Sequence, residues 1–146
     1  MRREMLRFLQ KRKFRLVTRW KLALKDNIAR VPSQHRFPFT LIFRAFDEVI
    51  HLLKLDALGT PNHAPESFLA DLTESCVPTA DQYMELFLSG RDVLADFIAN
   101  DASFAALFTA DERQELRGGC ERVFKYLIDL EMREHARRHH SSAVTE

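Results

Sequence analysis

The length, composition and charge of this chain exclude several classes of protein. Its 146 residues suffice for one domain with a hydrophobic core, and four Gly with five Pro favour helices over a turn-rich β-fold. Two cysteines are too few for a disulfide framework, so Cys76 and Cys120 are expected to be buried, reduced thiols. We expect no signal peptide and no transmembrane segment, and therefore a cytoplasmic protein.

The net charge of +1 conceals two opposed charge blocks. Residues 1–30 contain eleven Lys or Arg against two acids, whereas residues 55–112 contain eleven Asp or Glu against one Arg. Such blocks either pair within one fold or dimer, or remain apart and meet separate partners. Pairing is the favoured interpretation, because it requires no external polyanion.

The first predicted helix covers residues 2–30 and is strongly basic. It ends at Val31, because the residue before Pro32 is disfavoured in the helical conformation. Its apolar residues recur at helical spacing and form one stripe: Leu6, Leu9, Leu16, Val17, Trp20, Leu24 and Ile28. The basic residues lie off this stripe and supply a candidate interaction face: Arg7, Lys11, Arg12, Lys13, Arg15 and Arg19.

Two long helices and one short helix are expected in the middle of the chain. The second long helix opens near Pro38 and carries an apolar stripe to Leu53, which predicts the most buried element. A short helix is expected at residues 66–76. The third long helix starts from a capping box at Thr79 and runs to about Ala99.

The C-terminal third predicts a short helix and the last long helix. A helical turn is expected over residues 101–108, and a capping box at Thr109 and Glu112 starts the long helix. The single helical domain is expected to cover residues 1–138. A polar, disordered tail is expected at residues 139–146.

Three glycines fall inside predicted helices and need a packing reason. Gly90 lies in an apolar stripe, which predicts another helix backbone close by. Gly118 and Gly119 cost a helix about 2 kcal/mol relative to two alanines, so either a break or tight packing is expected there. Taken together, the segments predict an all-α fold, a helical bundle of four main helices plus one or two short helices.

No complete metal, cofactor or catalytic site is predicted. Glu131, His135 and His139 share a helix face by spacing, but a solvated, basic helix end is the favoured interpretation. One Glu-x-x-His instance, at residues 48–51, is half of what a di-iron bundle needs. Nucleophile elbows and phosphate-binding loops are absent from the sequence. We therefore expect a chain that is not an enzyme and binds no cofactor.

Three features within residues 15–99 are shared with a known family. They are Trp20 in the first helix, the run His-Arg-Phe-Pro-Phe-Thr at residues 35–40, and the helix over residues 83–98. With these features the segment resembles the N-terminal helical domain of RsbRD-type bacterial regulators. The resemblance implies a regulatory or sensory domain in bacterial signalling, often dimeric and without catalytic residues.

The favoured functional hypothesis is a regulatory or sensory module that acts by protein–protein contact. We expect a homodimer and a further protein partner of unknown identity. A nucleic-acid partner for the basic first helix is a less favoured alternative, because the acidic middle of the chain would repel a polyanion. Another alternative is a small apolar ligand held between the Phe-rich helices. Shallow membrane insertion by Phe8, Leu9, Phe14 and Trp20 is disfavoured, because the core needs Trp20.

Overall fold

The computed structural model describes residues 2–27, 39–57 and 80–144, and these residues are helical apart from short connections. The helices are α1 (Arg2–Lys11), α2 (Lys13–Asn27), α3 (Phe39–Ala57), α4 (Ala80–Asn100), α5 (Ala102–Leu107) and α6 (Ala110–Val144). The predicted all-α fold is therefore confirmed. The predicted start of the second helix near Pro38, the short helix at 66–76 and the Thr79 capping box lie outside the described residues.

Four of these helices form the bundle, and two are accessory. Helix α4 packs against α6 and α2, while α3 packs against α6 and α2, so the four enclose a common core. Helix α1 lies on α3, and α5 packs on α4. The largest fully buried side chains are aromatic: Trp20, Phe46, Phe87, Phe97, Phe104 and Phe124. The predicted arrangement of four main helices plus short ones is therefore confirmed.

The predicted first helix is broken at Arg12, so the expectation of one continuous helix was wrong. The Arg12 amide donates to the Leu9 carbonyl at 3.0 Å, an i to i−3 step, and the α-helix resumes at Lys13. No Gly or Pro marks this position in the sequence. Phe8 lies off the apolar stripe that continues into α2, yet both Met5 and Phe8 are buried.

Gly90 allows the indole ring of Trp20 to enter between α2 and α4. A Cβ at Gly90 would lie 2.7 Å from Cη2 of Trp20. The indole Nε1 donates a buried hydrogen bond of 2.8 Å to the Leu86 carbonyl, one turn earlier on α4. The prediction of a close approach at Gly90 is confirmed, but a side chain approaches it rather than a helix backbone.

Helix α6 runs without a break through both internal glycines. Its predicted capping box is present: the Thr109 amide donates to Glu112 Oε1 at 2.9 Å, and the Glu112 amide donates to Thr109 Oγ1 at 3.2 Å. The helix continues to Val144, across most of the segment expected to be a disordered tail. Neither Gly nor Pro follows Gly119 in the sequence, so no strong helix breaker ends α6 earlier.

Candidate interaction surface

The six basic residues expected to form one face lie on both sides of the helix break at Arg12. Arg7 and Lys11 are exposed on α1, and Arg15 is exposed on α2. Arg12, Lys13 and Arg19 are half-buried. The three half-buried residues contact different parts of the fold.

Arg12 and Lys13, at the break between α1 and α2, make contacts within the fold. The Arg12 guanidinium carbon lies 3.5 Å from the ring centroid of Phe8, a cation–π contact. The Lys13 ammonium lies 2.6 Å from Asp47 Oδ1 and 5.3 Å from the ring centroid of Phe43. Arg12 therefore packs on an aromatic ring of α1, and Lys13 links the start of α2 to α3.

Arg19 lines an open groove between α2 and α4. The groove is lined by Arg19, Ala23, Ser89, Asp92, Val93 and Asp96. Arg15 lies one helical turn before Arg19 on the same side of α2. Among the residues that the structure describes, neither arginine forms an ion pair, so both remain available to an external group.

The outer side of α4 is acidic where the outer side of α2 is basic. Asp92 and Asp96 are exposed and lie one turn apart. Asp92 Oδ1 accepts from its neighbour Arg91 at 3.3 Å, and Asp96 Oδ1 accepts from Asn100 at 2.7 Å. We name Arg15, Arg19, Asp92 and Asp96, with the groove between them, the bipolar face.

Two large apolar side chains are exposed on α2. Phe14 is 72% exposed and Leu22 is 55% exposed. They are eight residues apart, which separates them by about 12 Å along the helix axis and by about 80° around it. Leu22 was not predicted as a surface residue, although it lies opposite the buried stripe and its helical position was a usable signal. Phe14 was grouped with a membrane-inserting set, of which Phe8, Leu9 and Trp20 are buried.

A network of ion pairs joins the start of α1 to α3 and α6. Asp56 accepts from Arg122 at 2.9 and 3.0 Å and from Arg2 at 3.2 Å, and Arg2 also contacts Glu115 at 3.4 Å. The hydrogen bonds from Arg122, and then those from Arg2, hold the pKa of Asp56 below its usual value. The Arg2 guanidinium occupies the space where a Cβ on Gly119 would lie. This contact confirms tight packing at Gly119.

Potential metal ligands do not cluster in the described residues. Within ranges 2–27, 39–57 and 80–144, no three His, Cys, Asp or Glu residues come together as a metal site. Cys120 is buried as expected, and burial raises the pKa of its thiol to about 12, which suppresses the nucleophilic thiolate. Glu131 is 1% exposed, so the expected solvated helix end was wrong for this residue. Cys76 and the side chain of His135 lie outside the described part.

Comparison with known proteins gives no family for this chain. No protein-family model, no curated protein and no solved structure matches it. None of the described helices combines the length and apolar character that a bilayer crossing requires. The resemblance to RsbRD-type domains therefore stays a prediction.

Proposed function

We propose that this chain is a non-catalytic, helical regulatory module that acts by protein–protein contact through the outer side of α2. The supporting observation is the exposure of Phe14 and Leu22 on a basic helix. Leu22 lies one turn after Arg19, so an exposed apolar side chain adjoins a cation, and basic neighbours select acidic partners. A partner with an apolar patch bordered by carboxylates complements this surface.

The same proposal includes a homodimer, a cytoplasmic location and a role in bacterial signalling. The signalling role rests on the resemblance to the N-terminal domain of RsbRD-type regulators. Self-association is supported by opposite charges on adjacent outer sides of α2 and α4, because such a surface is complementary to a second copy. The proposed protein partner other than a second copy is one with an apolar patch bordered by carboxylates.

Nucleic acid is the second candidate partner, and the exposed cations support it. Arg7, Lys11 and Arg15 are all solvent-exposed and could contact phosphates. However, phosphate contacts give no reason for the exposure of Leu22, and the acidic outer side of α4 adjoins Arg15 and Arg19. A protein partner uses both the apolar and the charged groups, so it is the stronger proposal.

An apolar ligand held between Phe-rich helices receives less support. The ring centroids of Phe8 and Phe104 are 5.2 Å apart, and those of Phe104 and Phe108 are 4.8 Å apart. Phe97 and Phe104 are 5.9 Å apart. These distances are typical of directly packed aromatic rings. The rings therefore contact one another where a ligand would have to lie.

Site-specific photo-crosslinking tests the proposed function. A photoreactive amino acid replaces Leu22 in cells that produce the protein, and the matched control places it at Gln114, which is exposed on α6. We expect discrete protein adducts from position 22 that resist nuclease, and none from position 114. Mass spectrometry then distinguishes a second copy from another protein.

Two outcomes of this experiment contradict the proposal. Adducts that nuclease removes would assign the surface to nucleic acid. Equal labelling from both positions, or no protein adduct from position 22, would show that the outer side of α2 is not a protein contact surface. Either result would show that the exposed Leu22 does not mark a protein contact site.

A further inference from the structure

The bipolar face carries its two charges in parallel stripes. Arg19, Asp92 and Asp96 line one groove, so the arginine lies beside the helical turn that carries both carboxylates. Arg15 extends the positive stripe by one turn along α2. Among the described residues, Asp92 forms an ion pair only with Arg91, and Arg15 and Arg19 have no acidic partner.

We infer that a second copy of this chain covers the bipolar face, with a two-fold axis running parallel to α2 and α4 along the groove. A rotation of 180° about this axis exchanges left and right but preserves height. Helix α2 of each copy therefore faces α4 of the other. Because Arg19 lies beside the turn that carries Asp92 and Asp96 in its own copy, it also faces that turn of the second copy.

A second copy complements this face better than an external polyanion does. A polyanion is attracted by the arginines but repelled by the adjacent aspartates. In a dimer, the arginines of each copy face the aspartates of the other, and this pairing occurs on both sides of the axis. Leu22 on α2 and the half-buried Leu88 on α4 add apolar area beside the charges. The inference rests on the proposed function, because it assigns the surface for one of its protein contacts.

The size of the face predicts a weak dimer. Helix α2 has 15 residues and is about 22 Å long at 1.5 Å per residue. Two helices about 9 Å apart present a surface about 20 Å wide. The resulting patch of about 450 Å² per copy is smaller than the roughly 800 Å² of a standard interface. We therefore expect a dissociation constant in the micromolar range or weaker.

Exchange of the two charges tests the interface directly. The variant R15E/R19E makes the α2 stripe acidic, and D92R/D96R makes the α4 stripe basic. Each variant alone brings like charges together in both halves of the dimer, so we expect self-association at least about tenfold weaker than in the native chain. When the two variants are mixed, opposite charges meet in both halves. A heterodimer is then expected at concentrations where each variant alone is monomeric.

The measurement is sedimentation velocity at low ionic strength, with one variant fluorescently labelled so that mixed dimers are counted. The variant R7E/K11E is the matched control, because it reverses two exposed cations on α1 outside the bipolar face. We expect this control to associate as the native chain does. Far-UV circular dichroism establishes that each variant is folded. Where a charge reversal unfolds the chain, the neutral variant R15Q/R19Q or D92N/D96N is used in its place. Each neutral variant is expected to weaken association about threefold.

The outcomes separate this inference from the proposed function. Native association that persists in both reversed variants would place the interface elsewhere and overturn the inference, while protein contact through Leu22 would stand. Weakened variants that do not associate when mixed would also overturn the reciprocal pairing. A native chain that stays monomeric at every concentration would refute self-association itself. Cross-linking at Leu22 would then decide whether another protein is bound.

Discussion

Replacement of Gly90 by alanine tests the contact that orients Trp20 between α2 and α4. The new Cβ would lie 2.7 Å from Cη2 of Trp20 and closer still to Cζ2, whereas carbon atoms pack at about 3.5–4.0 Å. The indole would have to move by about 1 Å, and its hydrogen bond to the Leu86 carbonyl would be strained or lost. The altered contact therefore affects both packing and a buried donor.

The expected net effect of G90A is a loss of about 2–3 kcal/mol in the free energy of unfolding. Alanine gains about 1 kcal/mol in helix propensity over glycine. Overpacking costs about 1–3 kcal/mol, and a buried donor left without its partner costs a further 1–3 kcal/mol. The two costs exceed the gain, so the substitution is expected to destabilise the chain.

Urea unfolding followed by far-UV circular dichroism measures this effect, and the fluorescence of the single Trp reports on the site itself. The matched control is G118A, since a Cβ there would lie 3.5 Å from the flexible end of Arg122. We expect the control to be stabilised by up to about 1 kcal/mol. Equal changes in G90A and G118A would refute the role of the Trp20 contact.

Three further predictions follow from charge, burial and capping. The pKa of Asp56 is lower in the folded state, so its contribution to stability is complete above its unfolded pKa of about 3.8 and is lost as the pH falls below that value. The variant D56N should therefore reduce the fall of the melting temperature in acid. In a C76S background, Cys120 should react with a thiol reagent only after unfolding, and rapid native labelling would contradict its burial. Finally, T109A should cost about 1 kcal/mol in thermal unfolding, and an unchanged stability would refute the capping role of Thr109.

Sequence periodicity predicted the helical bundle because each main helix buries one stripe. The stripe predicted for α6 illustrates this: Leu116, Cys120, Val123, Phe124, Leu127 and Leu130 recur at helical spacing, and all are buried except the half-buried Leu130. The break at Arg12 was not predictable in this way. Just before it, Phe8 packs on Phe104 and Phe108, which are about a hundred residues away in sequence, and local periodicity does not encode such a contact.

The candidate surface was predicted only in its composition. Basic residues were correctly expected off the core stripe, but helical spacing does not reveal which of them bind within the fold. Lys13 is drawn to Asp47 on α3, whereas Arg15, only two residues later, is exposed. The position of Asp92 and Asp96 beside Arg19 depends on how α2 packs against α4, and no local pattern encodes that arrangement.

Sedimentation equilibrium of the native chain tests the proposed protein contact most directly. We expect an average mass that rises from 17.1 kDa towards twice that value as the protein concentration increases. Raising the ionic strength should shift this rise to higher concentrations, because the proposed interface pairs opposite charges. A mass that stays at 17.1 kDa at every concentration and ionic strength would contradict self-association through the bipolar face.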